Sequence, residues 1–207
     1  MITIIDYGIG NLRSIEKAFE RIGASVLRTD DTERIAEAQR LVLPGVGAFG
    51  ACADEIRRRN LEPAIHHAVE RGIPFLGVCV GMQLLFDGSD EMGDHRGLGL
   101  IPGRVTRFAH DLADADGHAL KVPHMGWNTT AATRETPLLA DLPVAPYFYF
   151  VHSYHGIPAN AAHTLATCGY GVDFTAIVHR DNVYGVQFHP EKSQDNGLAL
   201  LANFSRL

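Results

Sequence analysis

The sequence of 207 residues predicts an α/β fold with a mostly parallel central sheet, flanking helices, and additional antiparallel strands in its second half. In the first half, short apolar runs alternate with segments of helical spacing, as in parallel sheets that helices cover on both faces. In the second half, strand-like runs follow one another with only turns between them, which is typical of antiparallel pairing. We expect a single domain spanning residues 1–207, because no repeat or low-complexity linker divides the chain.

The first half contains four predicted strands and three predicted helices. Apolar side chains recur every three or four positions over residues 11–22, which predicts a helix ended by Gly23. A second helix is predicted to begin with Asn60 as its N-cap and to end at Gly72. A third follows the last of the four strands and covers about residues 81–86. The strands are predicted at residues 2–6, 25–28, 41–43 and 74–78.

The second half is predicted to consist mainly of strands and to end with a helix over residues 196–204. The segment 111–117, which is rich in Asp and Ala, is the expected exposed loop. The strands are predicted at residues 105–108, 147–151, 164–167, 175–179 and 183–188.

Composition and charge restrict the class of function. The net charge is −6 and the pI is about 6.0, whereas a nucleic-acid-binding chain would carry a basic surface. No apolar run approaches the ~18 residues that a membrane helix needs, and the N-terminus lacks the features of a signal peptide. The cysteines form no CxxC pair, so Cys52 and Cys168 are expected to be buried core residues rather than zinc or disulfide partners. We therefore expect a chain that works in the reducing cytoplasm, with no metal site and no nucleic-acid or membrane partner.

The predicted fourth strand runs directly into the sequence Gly-Val-Cys-Val-Gly at residues 77–81. A nucleophile on a sharp turn between a strand and a helix requires small residues two positions before and after it, and the two glycines meet that requirement. The N-terminus of the following helix would favour the thiolate of Cys79, which is the form that attacks a carbonyl carbon. The alternative role for Cys79 is that of a buried core thiol.

A predicted strand near the C-terminus leads into His189, Pro190 and Glu191. A cysteine nucleophile needs an imidazole that moves its proton, and the imidazole needs an acceptor that orients it. Pro190 favours an extended backbone at His189, and alternate residues of an extended chain project to the same side. Glu191 is therefore expected to orient His189 beside Cys79. The histidines expected at the surface are His66, His67, His95, His110, His118 and His163.

The sequence Pro-Gly-Val-Gly, residues 44–47, follows the predicted third strand. Active sites of parallel sheets lie at the carboxyl ends of the strands, and two glycines allow the backbone to turn sharply or a peptide to flip. An N–H group of Val46 or Gly47 is expected to form an oxyanion hole with the amide of Val80. The alternative is an ordinary turn without a function.

The motifs Pro-Gly-Val-Gly, Gly-Val-Cys-Val-Gly-Met-Gln and His-Pro-Glu-Lys-Ser, in this order, resemble the class I glutamine amidotransferases, and the resemblance covers nearly the whole chain. It implies that Cys79 forms a glutamyl thioester, that His189 moves protons, and that Glu191 orients His189. We expect this chemistry to need no cofactor.

Three further segments resemble the glutaminase subunit of imidazole glycerol phosphate synthase, at residues 5–12, 121–128 and 147–154. By this resemblance, Gly47, Gln83 and Glu91 bind glutamine, together with the backbone around Ser153 and Tyr154. Glu91 suits the α-ammonium group, and backbone donors suit the α-carboxylate. Exposed helix surface is the alternative place for Gln83 and Glu91.

The resemblance also implies a partner, a cyclase chain built as a (β/α)8 barrel. The cyclase would receive the ammonia and form imidazole glycerol phosphate and an aminoimidazole carboxamide ribonucleotide, a step of histidine biosynthesis. Trp127, the single tryptophan, suits an interface anchor, with core packing as the alternative. Lys192 is expected to pair with an acidic group of the cyclase, unless it is simply solvated. The residues expected at the interface are Lys121, Pro123, His124, Met125, Trp127, Asn128 and Lys192.

The glycine-flanked peptide of Val46 suggests how activity depends on that partner. We hypothesise that its carbonyl points into the site at rest and that its N–H points inward when the partner is liganded. An oxyanion donor contributes ~3 kcal/mol, so one flip would change the rate ~10²–10³-fold. The isolated chain is therefore expected to be nearly inactive.

Three alternative functions stay open at this point. Another triad amidotransferase, serving anthranilate, guanine nucleotide or carbamoyl phosphate synthesis, would have the same glutaminase chemistry, although Pro-His-Met-Gly-Trp-Asn at residues 123–128 favours the histidine pathway. A γ-glutamyl hydrolase would act on larger substrates without a partner. A regulatory subunit that kept the fold but lost catalysis is the third, and the intact Cys79, His189 and Glu191 argue against it.

Overall fold

A computed structural model describes residues 1–207. The strands are β1 (Ile2–Ile5), β2 (Val26–Thr29), β3 (Leu41–Gly45), β4 (Phe75–Cys79), β5 (Phe86–Ser89), β6 (His95–Arg96), β7 (Ile101–Arg107), β8 (His124–Thr129), β9 (Ala131–Ala132), β10 (Tyr147–His152), β11 (Tyr154–Pro158), β12 (Thr164–Gly169), β13 (Asp173–Arg180) and β14 (Val183–Val186). The helices are α1 (Leu12–Arg21), α2 (Thr32–Ala36), α3 (Phe49–Arg58), α4 (Glu62–Glu70), α5 (Val80–Gln83) and α6 (Gln194–Phe204). Short 3-10 turns occur at Pro137–Leu139, Ala161–His163 and Pro190–Lys192.

The largest sheet has eight strands in the order β2-β1-β3-β4-β14-β13-β12-β9. Neighbouring strands from β2 to β14 pair parallel, whereas β13 pairs antiparallel with β14 and β12, and β12 pairs antiparallel with β9. This sheet confirms the predicted α/β class, although β14 comes from the second half of the chain and runs parallel to β4. Strand β4 lies between β3 and β14, so the segments that follow these three strands emerge side by side.

Both faces of the parallel part of the sheet are covered, because every residue of β1, β3, β4 and β14 is buried. Helices α1 and α6 pack against each other, with the ring centroids of Phe19 and Phe204 6.4 Å apart. Helix α2 packs against α4. One connected cluster of 52 buried residues includes side chains of both halves of the chain, so a continuous core supports the sheet.

Two smaller sheets complete the fold. Strands β11, β7, β5 and β6 form one of them, and β10 and β8 form an antiparallel pair. Alternate side chains of that pair point to opposite faces, so Met125 and Trp127 are exposed on an outer face whereas His124 and His152 are buried on an inner face. The carbonyl of Tyr149 in β10 accepts a hydrogen bond from the backbone N–H of His189 (2.9 Å), which ties this pair to the end of β14.

The helix predicted after the fourth strand is shorter in the structure, because α5 ends at Gln83 and residue 86 already belongs to a strand. The carbonyl oxygens that follow α5 bond to another part of the chain instead of continuing the helix. Leu84 accepts from the N–H of Leu98 (2.7 Å), and Leu85 accepts from the N–H of Leu100 (2.8 Å).

Asn60 is not the N-cap of α4, contrary to the prediction. Its φ of 55° and the hydrogen bond from its N–H to the carbonyl of Arg57 (2.9 Å) place it in a left-handed turn that ends α3, and Leu61 precedes α4 instead. Helices α2 and α3 are not among the predicted elements. The helical spacing in α3 is visible in its buried residues, which include Phe49, Cys52, Ala53 and Ile56.

The remaining predicted strands and helices overlap elements of the structure. All three cysteines are free, and Cys52 and Cys168 are buried as predicted. Of the six histidines expected at the surface, three are exposed and three are partly buried. The segment 111–117 is mostly exposed, as predicted. None of the helices has the length and apolar character needed to cross a membrane.

Candidate active site

The turn that carries the predicted nucleophile lies where β4 ends and α5 begins. Cys79 has a φ of 55° and a ψ of −113°, a conformation that residues other than glycine rarely adopt. Strain of this kind persists only where the surrounding structure enforces it, and it is typical of a nucleophile on a turn between strand and helix. The backbone at Cys79 therefore has the geometry that the sequence motif predicts.

The glycines around Cys79 are required by close backbone contacts. A Cβ on Gly81 would overlap the carbonyl oxygen of Leu43 in the neighbouring strand β3. A Cβ on Gly77 would lie 2.5 Å from the carbonyl oxygen of Gly81, and one on Gly45 would lie 2.6 Å from the N atom of Gly81. The end of β3 can approach the start of α5 only because Gly45 and Gly81 lack side chains, and Gly77 lets α5 fold back against β4.

His189 and Glu191 form a buried pair beside the nucleophile. The Nδ1 atom of His189 is 2.8 Å from Oε1 of Glu191, and the two side chains are 4% and 2% exposed. The sequence predicts this contact from an extended chain, but Glu191 belongs to a 3-10 turn at Pro190–Lys192. His189 itself is extended, with a φ of −99° and a ψ of 96°, and the turn after it brings the carboxylate back toward the ring.

The charge of His189 follows from its two partners. Burial lowers the pKa of His189, but hydrogen bonds with Cys79 and Glu191 outweigh burial and raise the pKa to about 10. An imidazolium at this position is the partner that a thiolate nucleophile needs. Because the pKa is raised above its ordinary value of 6.5, these contacts stabilise the fold fully below pH 6.5, and this contribution is lost as the pH rises through 10.

Asn11 belongs to the site, although the sequence analysis gives it no individual role. Its Nδ2 atom donates a hydrogen bond to Oε1 of Glu191 (3.2 Å), the same oxygen that contacts His189. The other carboxylate oxygen of Glu191 is buried without a protein partner. Asn11 therefore helps to hold the carboxylate in the orientation that serves His189.

The predicted oxyanion loop is anchored by side chains from two other elements. The hydroxyl of Tyr7 donates to the carbonyl of Pro44 (2.8 Å), and the thiol of Cys52 donates to the carbonyl of Val46 (3.4 Å). Burial raises the pKa of the Cys52 thiol, so this thiol keeps the proton that the second bond requires. Gly47 has a φ of +82°, a conformation that favours glycine, and therefore supplies the sharp turn that the sequence predicts.

A cavity of about 400 Å³ brings the predicted site residues together. This volume suits a small ligand such as an amino acid. Glu191 does not line the cavity, since it lies behind His189. Pro123 and Lys192, which are predicted interface residues, also contribute to its wall. The predicted catalytic, oxyanion and substrate residues that line it are Val46, Gly47, Cys79, Val80, Gln83, Glu91, Ser153, Tyr154 and His189.

Gln83 and Glu91 are held in place by hydrogen bonds to the backbone. The Nε2 atom of Gln83 donates to the carbonyl of Tyr154 (3.0 Å). Oε2 of Glu91 accepts from the backbone N–H of Phe49 (2.7 Å), at the start of α3. Gln83 is 3% exposed, so it does not occupy the exposed helix surface that was the alternative reading. The carboxylate of Glu91 lines the cavity and suits a cationic group of a ligand.

Two buried polar residues near the nucleophile were missed by the sequence analysis. Gln187 is fully buried and its Nε2 atom lies 3.9 Å from the sulfur of Cys79. His152 lines the cavity and contacts the carbonyl of Tyr154 through Nδ1 (2.9 Å). A polar residue inside an apolar strand, as in Val-Gln-Phe at 186–188, is the local signal that marks Gln187.

The predicted interface residues separate into two groups. Met125 and Trp127 are 62% and 46% exposed on the outer face of β8. His124 is only 3% exposed, which argues against its predicted direct contact with a partner. Asn128 also points inward, where its Nδ2 atom donates to the carbonyl of Gly169 (2.9 Å). The remaining three, all exposed, are Lys121, Pro123 and Lys192.

A larger groove, of about 920 Å³, lies elsewhere on the surface and is lined by residues between 130 and 146. It contains no cysteine or histidine and none of the residues that the motifs single out. Its size therefore does not make it the reactive site, since a reaction needs a nucleophile and a proton carrier.

The geometry defines a class of enzyme. A cysteine on a strained turn, a protonated histidine bonded to it, a carboxylate that orients the histidine, and a glycine-containing loop beside the cavity are the parts of an acyl-transfer enzyme with a cysteine nucleophile. No step of this chemistry requires a metal or an organic cofactor.

Comparisons with known proteins agree with this class. The family model described as glutamine amidotransferase class-I matches residues 3–206. The chain is 63% identical to the imidazole glycerol phosphate synthase subunit HisH of Salinibacter ruber, over 100% of this chain and 94% of the relative. It is 53% identical to the HisH subunit of Syntrophotalea carbinolica, over 99% and 98% of the two chains.

Solved structures show the same fold at low sequence identity. A crystal structure of a glutamine amidotransferase superimposes with a TM-score of 0.75 at 18% identity, over 100% of this chain and 99% of that one. The PurLQS structure from Thermotoga maritima gives a TM-score of 0.73 at 18% identity, over 98% and 96%. The chain belongs to the class I glutamine amidotransferases and, within them, to the family of imidazole glycerol phosphate synthase subunit HisH.

Replacing Gly81 by Ala is expected to lower the free energy of unfolding by ~3 kcal/mol or more, because the new methyl group overlaps the Leu43 carbonyl. Urea unfolding measures the loss. Gly169→Ala is the matched control, because its Cβ would lie 3.4 Å from the nearest atom, Oδ1 of Asp173, and should change stability by less than ~0.5 kcal/mol. Equal effects of the two substitutions would contradict the proposed role of Gly81.

Replacing Glu191 by Gln is expected to reduce the kcat of glutamine hydrolysis ~10²-fold or more, because a neutral amide no longer stabilises the imidazolium of His189. Steady-state ammonia release by the complete complex measures the change. Asn11→Ala leaves the carboxylate in place and removes one hydrogen bond, so a smaller loss is expected. An unchanged kcat in the Glu191 variant would show that the pair does not act in catalysis.

Proposed function

We propose that this enzyme hydrolyses L-glutamine to glutamate and ammonia through a thioester on Cys79, and passes the ammonia to a cyclase. The cavity where Cys79 and His189 meet the predicted glutamine-binding residues is the observation that carries this proposal. The relatives named as imidazole glycerol phosphate synthase subunits support it. The cyclase would use the ammonia to form imidazole glycerol phosphate and an aminoimidazole carboxamide ribonucleotide, in histidine biosynthesis.

The first half of the reaction forms the thioester. The thiolate of Cys79 attacks the side-chain amide carbon of glutamine, and the negative charge moves to the carbonyl oxygen. The amide of Val80 and an N–H group of the 44–47 loop would stabilise that oxygen. Protonated His189 then gives its proton to the departing nitrogen, and ammonia leaves as the C–N bond breaks.

The second half releases glutamate. Neutral His189 takes a proton from a water molecule as that water attacks the thioester carbon. The C–S bond breaks, the sulfur leaves as thiolate, and glutamate departs. His189 is again protonated, so the site returns to its starting charges. Glu191 stays ionised throughout and keeps the ring of His189 in one orientation.

The cavity wall suits the two charged groups of free glutamine. The carboxylate of Glu91 faces the cavity and would bind the α-ammonium group. Both N–H groups of Gln83 are used on protein acceptors, namely the carbonyl of Tyr154 and Oε1 of Gln187. Gln83 therefore presents its Oε1 as an acceptor, which also suits the ammonium group. The backbone at Ser153 and Tyr154 lines the cavity and would meet the α-carboxylate.

The outer face of β8 and β10 is the proposed cyclase interface. Trp127 and Tyr149 pack there with ring centroids 6.0 Å apart, and the ammonium group of Lys192 lies 5.8 Å from the Tyr149 ring. Met125 and Tyr147 add exposed apolar area to the same face. Aromatic and methionine side chains of this kind are enriched at protein interfaces.

The cavity is continuous with that face. Lys192 and Pro123 line the cavity and are also exposed. A partner bound over the outer face would therefore cover the rim of the cavity, so that ammonia could pass into the partner without entering bulk water. Lys192 would pair with an acidic group of the cyclase at this rim. The burial of His124 argues against a direct contact of this side chain with the cyclase.

We also propose that the partner controls the oxyanion loop. The carbonyl of Val46 accepts a hydrogen bond from the thiol of Cys52, which holds the Val46–Gly47 peptide in its resting orientation. Because the second residue of this peptide is a glycine, the peptide is also free to rotate. Rotation would break one S–H···O bond and would present an N–H group to the substrate oxygen. Low activity of the free chain follows from this proposal.

We propose that the chain acts as a single domain in the cytoplasm. One core cluster joins both halves of the chain, which supports the single domain. The three thiols are unpaired, which suits a reducing compartment.

The alternative functions are less well supported. The HisH relatives favour imidazole glycerol phosphate synthase over amidotransferases for anthranilate, guanine nucleotides or carbamoyl phosphate. The exposed aromatic face beside the cavity favours an enzyme with a partner over a free γ-glutamyl hydrolase. The assembled triad argues against a regulatory subunit without catalysis.

Ammonia release from glutamine tests the proposed function. The purified chain alone is expected to be nearly inactive, and the cyclase with its ribonucleotide ligand should raise the rate ~10²-fold or more, because the partner supplies the oxyanion donor. Cys79→Ala is the control and should abolish the activity. Activity that does not depend on the cyclase would contradict the proposed partner, and activity in the Cys79 variant would contradict the nucleophile.

Replacing Trp127 by Ala is expected to raise the Kd for the cyclase ~10-fold or more, because a large anchor is removed from the centre of the outer face. Calorimetric titration measures the change. Val172→Ala truncates a similarly exposed apolar side chain (47%, against 46% for Trp127) outside β8 and β10, and should leave the Kd within ~2-fold. The proposed interface is wrong if both variants bind the cyclase equally well.

A further inference from the structure

Gln187 is a buried amide at the end of β14 that none of the catalytic motifs accounts for. Its neighbour Val186 pairs with Val78, so Gln187 follows β14 at the level where Cys79 ends β4. Its side chain is fully buried, and its Nε2 atom is 3.9 Å from the sulfur of Cys79. We propose that Gln187 is a positioning residue that directs an N–H group at the sulfur of the nucleophile and so favours its thiolate form.

The direction of this amide is fixed by a hydrogen-bond chain, not by Gln187 alone. The carbonyl of Tyr154 can only accept hydrogen bonds, so the atom of Gln83 that lies 3.0 Å from it must be the nitrogen. The second N–H of that nitrogen points to Gln187 at 3.1 Å and must meet the oxygen of the Gln187 amide. The nitrogen of Gln187 is then left to face Cys79. Reversing either amide would place two donors or two acceptors together.

The chain continues beyond Tyr154 to the inner face of β8. Nδ1 of His152 donates to the carbonyl of Tyr154 (2.9 Å), and Nδ1 of His124 lies 3.1 Å from Nε2 of His152. Burial lowers the pKa of His152 to about 3 and that of His124 to about 4, so both rings are neutral. A neutral ring has one donor and one acceptor. In His152, Nδ1 is the donor to the Tyr154 carbonyl, and Nε2 is the acceptor for Nδ1 of His124. The carbonyl of Tyr154 thus receives hydrogen bonds from two sides and is held firmly.

The sulfur of Cys79 therefore has two donors of different kinds. His189 carries a mobile proton, which it must give to the leaving nitrogen. The amide of Gln187 has no proton to release, so its partial positive charge stays beside the sulfur at every step. A fixed donor matters most while His189 is neutral, between the departure of ammonia and the attack of water, because the amide of Gln187 is then the donor that remains beside the sulfur.

The inference rests on the proposed function, but its test needs neither glutamine nor the cyclase. Alkylation of Cys79 by iodoacetamide, measured against pH, reports the thiolate directly, with Cys79→Ala giving the background of Cys52 and Cys168. Gln187→Met has similar length and removes the donor to the sulfur without adding a charge. We expect its alkylation profile to shift to higher pH by about one unit, with a ~10-fold lower rate at pH 6. Gln187→Glu keeps an acceptor for Gln83 but adds a carboxyl group that repels the thiolate, so its shift should be larger.

Glutamine hydrolysis by the complete complex supplies the second readout. Gln187→Glu is expected to lower kcat ~10-fold or more and to change KM less than ~3-fold, since the lost bond touches the sulfur and not the ligand. An alkylation profile of Gln187→Met that coincides with the wild type would overturn the proposal, whereas inactivity of the wild type would overturn the proposed function instead.

A measurement on the wild-type protein covers the case in which both variants fail to fold. The side-chain amide signals of Gln187, labelled with ¹⁵N, are expected to shift when Cys79 is alkylated and to exchange slowly with water because the group is buried. Amide signals that do not respond to alkylation would also overturn the proposal.

Discussion

The contact between the backbone of Gly81 and the carbonyl of Leu43 is the constraint on which the catalytic geometry depends. It lets the first turn of α5 lie against the end of β3, which no residue with a side chain would permit. Because β3, β4 and β14 are adjacent and parallel, this close approach places the 44–47 loop, Cys79 and His189 around one cavity. The strained backbone of Cys79 follows from the same contact, since the chain must reverse direction within a single residue.

Electrostatics of the site depend on burial as much as on contact. His189 and Glu191 are almost completely removed from water, so their attraction is weakly screened, and the histidine stays protonated although burial alone would have the opposite effect. The neighbouring histidines behave differently. His152 and His124 are buried without a carboxylate, and both are neutral. One protein thus contains charged and neutral imidazoles, and the contacts of His189 with Cys79 and Glu191 account for the difference.

The antiparallel pair of β8 and β10 links the outside of the molecule with the nucleophile. Its outer face exposes aromatic side chains, which form the proposed interface, and its inner face supplies His124 and His152. Successive side chains of a strand point to opposite faces, so the inner and outer residues of β8 share one backbone. A displacement of β8 by a bound partner would therefore also move the inner residues. The backbone N–H of His189 bonds to Tyr149 in this pair, which gives the interface a second direct connection to the site.

By itself, the sequence determined the α/β class, the turn that carries Cys79, the glycine loop at 44–47 and the pairing of His189 with Glu191. These features are encoded within short stretches of chain, because glycines two positions from a cysteine or a carboxylate two positions from a histidine restrict local geometry directly. For the contact between His189 and Glu191, however, the predicted backbone conformation was wrong. A 3-10 turn, and not an extended chain, brings Glu191 to His189.

Only the tertiary structure decided the contacts of Asn11 and Gln187, the inward orientation of His124, and the short length of α5. Asn11 and Glu191 are 180 residues apart in sequence, and Gln83 and Gln187 are 104 apart. Interactions over such separations depend on strand order and register, which local patterns do not specify. The sequence identifies the groups that react, whereas the packing of the sheets decides which neighbours orient them.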